Sequence, residues 1–454
     1  MRASDFTALR SLLSSPEALV LEVEAHDAYH HDATDFRGRP AAIVFAAGEA
    51  DVVAAVRFCA ERGLPLVGRG AGTGLSGGCV PANGELVVST ERLTELSIDP
   101  ARRIAFCGPG VITKHLQDQA LVHGLAYPPD PASFDQSTLG GNVAENAGGL
   151  RCKRFGVTRD YVLGVRGVTG EGRLLETGIF NQNRGFDLMD ILIGSEGTLA
   201  IITRIALRLI LAGATGITIL VAFRQPEDAA RAVAEITGSG LIPTVLEYVD
   251  GDAAAAANAY RRTEGIDRAA AVLLIETTER DPEEETAHIR AVCERHRASY
   301  LRVEPDAQAA ETLWDVRRNI STALKAMAAI RVSEDVAVPN SKFPSLVAFV
   351  MEMNAASPLR INSYGHAGDG NLHVNFISMT GSEADRAEIG RRVEQLMRRT
   401  IALGGTLSGE HGIGLAKRRF LSLEFDPATR AAMQKFKDVF DPHDILGRGK
   451  IFEK

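Results

Sequence analysis

The sequence predicts an α+β protein of more than one domain, and three observations carry that reading. A chain of 454 residues is too long for one compact core. At about 150 residues per domain, three domains are expected, with two to four in range. The first half mixes short strands and helices around two large glycine-rich loops, and from about Gly213 strands alternate with long helices. The second texture is that of helices covering one face of a mainly antiparallel sheet.

In chain order, residues 1–34 read as a helical lead-in. Residues 41–46 form a strand, and 50–62 an amphipathic helix stopped by Gly63 and Pro65. Residues 65–68 form a strand that runs into a glycine loop. Further strands at 85–89 and 103–107 precede a helix at 112–123. Segment 128–160, rich in Gly, Pro and Asn, shows little periodicity. Residues 162–177 read as a hairpin turning at Gly170-Glu171-Gly172, and 199–209 as a strand. Beyond a boundary near 211–216, strands are expected at 217–223, 245–248, 271–277, 300–303, 360–363 and 373–377. Helices are expected at 227–237, 254–261, 283–297, 307–328, 342–356 and 383–403.

Composition narrows the function. Hydrophobic residues at 45% and charged residues at 24% exclude a disordered chain or a coiled coil. The net charge of −8 makes a poor general binder of nucleic acid or anionic lipid. Five scattered cysteines without a CxxC argue against a disulfide framework, an iron–sulfur site or a Cys-based zinc site. Residues 1–24 lack the apolar run of a secretory signal, and no 18-residue apolar stretch occurs. The expected setting is the cytoplasm, with room for peripheral membrane association and for a homodimer.

The glycines are where chemistry becomes legible. Within RGAGTGLSGG (69–78), Gly72 to Gly77 formally matches GxGxxG. A dinucleotide fingerprint must open a helix, whereas Cys79-Val80-Pro81-Ala82-Asn83-Gly84 follows here. The better reading is a loop whose backbone N–H groups converge on an anion. A second segment, from Pro128 through Gly149 to Val162, alternates small residues, amides and hydroxyls, which suits close backbone approach to a large planar ligand. Ile193-Gly194-Ser195-Glu196-Gly197 makes a tight entry into a strand.

These motifs, with STLGGNVAENAGG (137–149), KRFGVTRDYVLG (153–164), IGSEGTLAIIT (193–203), GHAGDGNLHVN (365–375) and LSGEHGIGLAK (407–417), resemble one family in order and spacing across about 35–453. It is the FAD-linked D-2-hydroxyacid dehydrogenase branch of the vanillyl-alcohol oxidase/p-cresol methylhydroxylase superfamily. That branch includes glycolate oxidase flavin subunits, D-lactate dehydrogenases and D-2-hydroxyglutarate dehydrogenases. The resemblance implies a two-part FAD-binding domain at 35–212 and a C-terminal α+β cap domain at 213–454, which holds substrate and metal. The segment from about 405 to 454 would return to the flavin. Arg69, Gly70, Ala71, Gly72, Thr73, Gly74, Ser76 and Gly77 would hold the pyrophosphate. Pro131, Ser137, Thr138, Gly141, Asn142, Ala144 and Gly148 would line the isoalloxazine and ribityl. Glu196, Gly197 and Ile202 would sit near the adenosine half, and Lys450 near the flavin. No His stands in the first loop to tether the flavin, so non-covalent FAD is expected.

His366 and His373 bracket a turn between two strands, and Glu410-His411 sits in another glycine-rich loop. Spacing alone leaves two readings, polar surface loops or a divalent metal site with an open position. The resemblance implies a metal, Zn2+ in the first instance, on His366, His373 and Glu410, with His411 as general base. It also implies Arg317, in a Trp-x-x-Arg helix, as a substrate contact. Ser321 lies one turn on, and Asn375 two residues past His373. Two departures stand out. Ser333 occupies the place of a Lys found in members acting on hydroxyglutarate, with Arg331 and Lys325 as substitutes nearby. Leu446-Gly447 lacks the family's intervening Asn-Pro. The expected reaction is oxidation of a small D-2-hydroxyacid, with electrons passed to a quinone, an electron-transfer flavoprotein or a partner subunit. The rivals are an oxygen-using oxidase, an idle flavoprotein subunit and a flavin-free zinc hydrolase.

Overall fold

The computed structural model describes residues 6–181, 185–213, 216–260, 262–267, 269–278 and 281–452. Of the sequence expectations, the start of the lead-in, part of the boundary at 211–216, and Arg261 at the end of one helix lie outside these residues. The chain forms two compact units. The first comprises 1–148, 156–212 and 410–454, and the second 149–155 and 213–409. A seven-residue piece of the glycine-rich segment thus belongs to the second unit, and the tail from Glu410 to the first.

The first unit holds two main sheets. One has the order Leu19–Val20, Ala42–Phe45, Leu86–Ser89, Leu66–Arg69, with its three longer strands parallel. Ala42–Phe45 and Leu86–Ser89 are buried along their whole length and read as nearly continuous apolar runs, as a sheet covered on both faces requires. The helix Glu49–Arg62 covers one face through Val52, Val56 and Cys59. The other face packs Ile43, Phe45, Val67 and Val87 against Val23. The lead-in is therefore not simply helical. Leu19 pairs with Val44, which makes it an edge strand of this sheet. The second sheet is antiparallel, ordered Leu96–Asp99, Ile104–Cys107, Ala200–Arg208, Val162–Thr169, Leu174–Glu176. The expected hairpin at 162–177 is its far edge. Segment 128–160 contains a helix, Leu139–Glu145, that the sequence reading had not assigned.

The second unit is built on one seven-stranded sheet, antiparallel throughout. Its order is Ala298–Glu304, Thr218–Phe223, Ala271–Glu276, Val245–Asp250, Arg360–Gly365, Asn371–Ser378, Ile330–Ala337. Helices cover both faces rather than the one expected. Val245 and Val249 pack with the helices Gly251–Tyr260 and Ala307–Met327. Tyr248, on the opposite face by strand alternation, meets Phe343 of the helix Phe343–Ala355 edge-on at 5.7 Å. The strand Ile330–Ala337 and, in the first unit, the helix Pro427–Phe440 are further elements without a sequence assignment.

Candidate active site

In the first unit, strand Leu66–Arg69 runs into residues 70–80, which contain no helix. Gly70 is required by close approach: a Cβ there would overlap the Thr138 Oγ1. That hydroxyl is buried and has no hydrogen-bond partner. Asp32, which the sequence reading passed over, accepts from the Gly77 N–H at 2.9 Å, and the Gly74 carbonyl accepts from Ala33 N at 3.1 Å. Lys450 is also buried, with its Nζ unpartnered by hydrogen bonds and 3.8 Å from the Glu85 carboxylate. An orphaned buried hydroxyl against a glycine backbone and an orphaned buried ammonium fit a loop that cradles an anionic cofactor.

Other predicted cofactor residues have different partners. The Arg69 guanidinium lies beneath Gly72, donates to the carbonyls of Ala28 (2.6 Å) and His31 (2.7 Å), and lies over the Tyr29 ring. It braces the lead-in. Asn142 Nδ2 donates to Thr113 Oγ1 at 2.6 Å, and that hydroxyl lies 3.0 Å from Ser137 Oγ, so both predicted ligands are engaged inside the protein. Ala71 is exposed, Thr73, Gly74, Gly141 and Ala144 are half-buried, and Ser76, Pro131 and Gly148 are buried. Glu196 does not face outward. It takes a left-handed backbone conformation (φ 53°), and its carboxylate accepts from the N–H groups of Ile413 and Gly414, both at 2.7 Å. Burial, opposed by those two hydrogen bonds, pushes Glu196 up to about 7. Glu145 is pushed well above the usual carboxylate range by burial and then by the charges of Glu196 and Asp32. Gly197 has φ 68°, and Ile202 is buried in a central strand. His411 lies in the loop held by Glu196, its Nε2 4.0 Å from the Glu410 carboxylate.

In the second unit, strands Arg360–Gly365 and Asn371–Ser378 flank a short turn, and both histidines are buried. The His366 and His373 rings stand edge-to-face with centroids 5.3 Å apart. Glu247, fully buried in the neighbouring strand, places Oε1 2.6 Å from His366 Nδ1 and accepts from Arg317 Nε through Oε2. Burial alone would raise Glu247, but the His366 and Arg317 charges outweigh it and hold the carboxyl at about 2. An ionised carboxylate only accepts, so Nδ1 carries a proton, and in the neutral ring that would leave the lone pair on Nε2. Arg317, expected as a substrate contact, is buried, bonded through Nε to Glu247 and stacked over the Tyr364 ring at 4.7 Å. Arg331 bonds both Ser321 and Asn375.

Glu410 directly follows Gly409. A Cβ on Gly409 would overlap the Asn371 amide, so the chain is pressed close to the strand that carries His373. Sequence reasoning missed Glu247 and Tyr364. For Glu247 a signal was present, since an acid in the middle of the apolar run Val245-Leu246-Glu247-Tyr248-Val249 needs a buried partner. Among the described residues, no helix is long and apolar enough to cross a membrane.

Two family descriptions match this chain: FAD binding domain at residues 40–178, and FAD linked oxidases, C-terminal domain at residues 214–451. The glycolate oxidase subunit GlcD of Bacillus subtilis is 34% identical over 436 residues, covering 94% of this chain and 92% of its own length. The D-lactate dehydrogenase of Archaeoglobus fulgidus is 34% identical, covering 94% and 96%. Among solved structures, substrate-bound p-cresol methylhydroxylase superposes with a TM-score of 0.81 at 14% identity, covering 100% of this chain and 98% of its own, a likeness of fold. The chain belongs to the FAD-linked oxidase family and has the fold of the p-cresol methylhydroxylase superfamily. It is an FAD-linked oxidoreductase of the glycolate and D-lactate dehydrogenase type, which removes the flavin-free hydrolase alternative.

Proposed function

We propose that this enzyme oxidises a small D-2-hydroxyacid to the 2-oxoacid, using non-covalent FAD and a divalent cation, Zn2+ in the first instance, on His366, His373 and Glu410. The observation that carries the reading is the Glu247–His366 pair. A buried imidazole oriented by an ionised carboxylate, with a second buried imidazole edge-on beside it, is the outer-shell arrangement that orients metal-ligating histidines. The donor set, two imidazoles and a carboxylate, suits zinc and leaves a position open. The similar proteins named for glycolate and D-lactate, both 2-hydroxyacids, support the substrate class.

Bound FAD supplies the two-electron acceptor. The cation supplies a Lewis acid that lowers the pKa of a coordinated hydroxyl. The chain's residues do the rest. Gly70 and Gly74 would hold the cofactor's phosphates, Thr138 would line the isoalloxazine and ribityl, and Lys450 would add a buried positive charge. Glu247 keeps His366 in one tautomer. His411, in a loop anchored by Glu196, takes the substrate O–H proton while the C–H electron pair leaves. Electrons then pass to a quinone, an electron-transfer flavoprotein or a partner subunit.

The test is anaerobic mixing of the oxidised enzyme with a panel of D-2-hydroxyacids, following loss of flavin absorbance. At least one should bleach the flavin. His411→Ala, with FAD and metal retained, should slow bleaching by about 10²–10⁴-fold, the usual worth of a positioned base. Bleaching by no D-2-hydroxyacid would overturn the substrate class. A wild-type rate in His411→Ala would overturn the role given to that residue.

A further inference from the structure

We infer that Glu145 and Glu196 form a proton-operated latch that positions the loop carrying His411: the loop stays seated while Glu145 is neutral and is released when both carboxyls are ionised. This rests on the role proposed above for His411 and adds a control on its placement. Both glutamates are positioning residues, acting through the loop.

All the parts belong to the first unit. Residues 410–417 form no helix or strand, so their placement depends on what they bond. The Glu196 carboxylate accepts from Ile413 N and Gly414 N, one oxygen to each. Just beyond, Leu415 N and Ala416 N donate to the Ser76 carbonyl at 2.8 and 3.1 Å. Glu196 is itself tied to the end of the helix Leu139–Glu145: its N–H donates to the Ala144 carbonyl at 2.8 Å, and Gly194 N to the Val143 carbonyl at 3.0 Å. The backbone thus brings the two carboxyls together whatever the loop does. Gly412, next to His411, has φ 90°, and a Cβ there would stand 2.7 Å from Glu145 Oε2 and 3.0 Å from Glu196 Oε1. The bare Cα is what lets the loop close over both groups.

The two carboxyls are not equivalent. Glu196 has two N–H donors and the Lys417 charge to favour its ionised form. Glu145 has no such support. Its Oε2 is buried and accepts no hydrogen bond, and burial first, then the charges of Glu196 and Asp32, push its carboxyl well above the ordinary range. The Cys79 thiol also faces Glu145, but burial pushes it up to about 11, so it adds no charge near neutrality. His411 and Glu410 lie on the loop itself. Glu196 therefore ionises first, at about 7, and Glu145 only above it. Between the two steps the pair carries its charge on Glu196, where the donors are, and its proton on Glu145.

Loss of that last proton sets a second negative charge beside the first, in a space shielded from water. Opening the loop hydrates both carboxyls and returns them toward the ordinary 4.5. Because Glu145 is raised in the seated form, seating is fully favoured below 4.5 and loses ground as pH rises toward the displaced value, by up to about tenfold per unit. The segment released is the one that carries His411. Proton abstraction thus fails on the alkaline side through misplacement of the base, and on the acid side through protonation of His411 itself.

The experiment follows hydrogen–deuterium exchange in the FAD-loaded enzyme, by mass spectrometry of peptides covering 410–417, in wild type, Glu145→Gln and Glu196→Gln. Gln at 145 copies the neutral acid in shape and cannot ionise. Wild-type protection, corrected for the intrinsic exchange rate, should fall by at least about tenfold between about pH 7.5 and about pH 9.5. In Glu145→Gln it should change by less than about threefold over that interval. Glu145→Ala, equally unable to ionise, should give the same level profile and serves if Glu145→Gln does not fold. Glu196→Gln offers one amide oxygen to two donors, so its protection should lie at least about tenfold below wild type already at about pH 7.5. Flavin reduction at saturating substrate is the second readout: the wild-type rate should fall over the same interval with KM changed by less than about threefold, and Glu145→Gln should move that fall up by at least about one pH unit. If no D-2-hydroxyacid reduces the flavin, the proposed reaction fails while the exchange still decides the latch. Level wild-type protection, an alkaline fall that Glu145→Gln retains, or full protection in Glu196→Gln would overturn the inference.

Discussion

Replacing Glu247 by Gln removes one negative charge from a fully buried position and changes almost no volume, so its effects report electrostatics rather than packing. Glu247 lies between the Arg317 guanidinium and the His366 ring. Its carboxyl is held at about 2 against an ordinary 4.5. Because the folded-state value is depressed, the stabilisation is complete above about 4.5 and is lost as pH falls toward 2. That interval corresponds to about 3 kcal/mol at neutral pH. An independent route gives a similar size, since stranding the buried Arg317 cation costs about 3–5 kcal/mol, part of which the amide oxygen offsets by still accepting from Nε. Glu247→Gln should therefore lower the stability of the second unit by about 2–4 kcal/mol at pH 7. Its melting midpoint should fall by about 4–16 °C by calorimetry, with the deficit shrinking in acid. The amide can also present its NH2 to His366, which would reverse the ring's proton placement. Metal content after dialysis should fall by about 10- to 100-fold in affinity. FAD absorbance should be unchanged, because Glu247 and the glycine loop at 69–78 belong to different units. A variant that melts with wild type at pH 7 and keeps its metal would refute the reasoning.

Acid precipitation of the holoenzyme should release all FAD into the supernatant, and flavin that stays with the pellet would contradict non-covalent binding. Gly74→Val should abolish FAD binding without unfolding the protein, because a Cβ at Gly74 meets no protein atom within 4 Å and would stand in the proposed path of the pyrophosphate; Gly72→Val should also destabilise the fold, since a Cβ there overlaps the Arg69 guanidinium. Elemental analysis of His366→Ala or His373→Ala should show loss of divalent metal with an intact flavin spectrum, and metal at wild-type stoichiometry would remove these residues as ligands. Lys437→Met should cost about 3–5 kcal/mol, measured by urea unfolding, because it strands the buried Asp441 carboxylate and two buried carbonyls, those of Thr198 and Leu446.

Where the sequence was legible, a local pattern carried the element. The helix Ala307–Met327 shows helical periodicity through Leu313, Val316, Ile320 and Leu324, all buried. The helix Pro427–Phe440 was missed although its start was readable, with Asp426 capping Ala428 and Thr429 ahead of Pro427. Burial of the seven-stranded sheet on both faces was missed although written locally: Ala271–Ile275 is apolar at every position, which a half-exposed strand would not be. Other features depend on distant residues. The pairing of Leu19 with Val44 involves a two-residue strand with no period to read. Strand Ile330–Ala337 escaped because Arg331, Ser333, Glu334 and Asp335 interrupt the apolar alternation.

The candidate site divides in the same way. The glycine loops, His366, His373, Glu410 and His411 were readable because each sits in a compact motif. Glu247 joins Arg317 and His366 across 70 and 119 positions, and no local pattern relates them. Its energetics still say why it is there. A buried ion pair is seldom more stable than apolar residues of the same shape, because desolvation of both charges opposes their attraction. The surrounding strand is otherwise built of such residues, so folding alone would be served as well by Leu or Met at 247. What an apolar side chain cannot do is accept a proton from His366 Nδ1 and fix Nε2 as the lone-pair atom. Besides holding Arg317, the charge would serve the proposed metal by orienting His366. That is why Glu247, rather than the histidines by themselves, carries the case for a metal in the second unit.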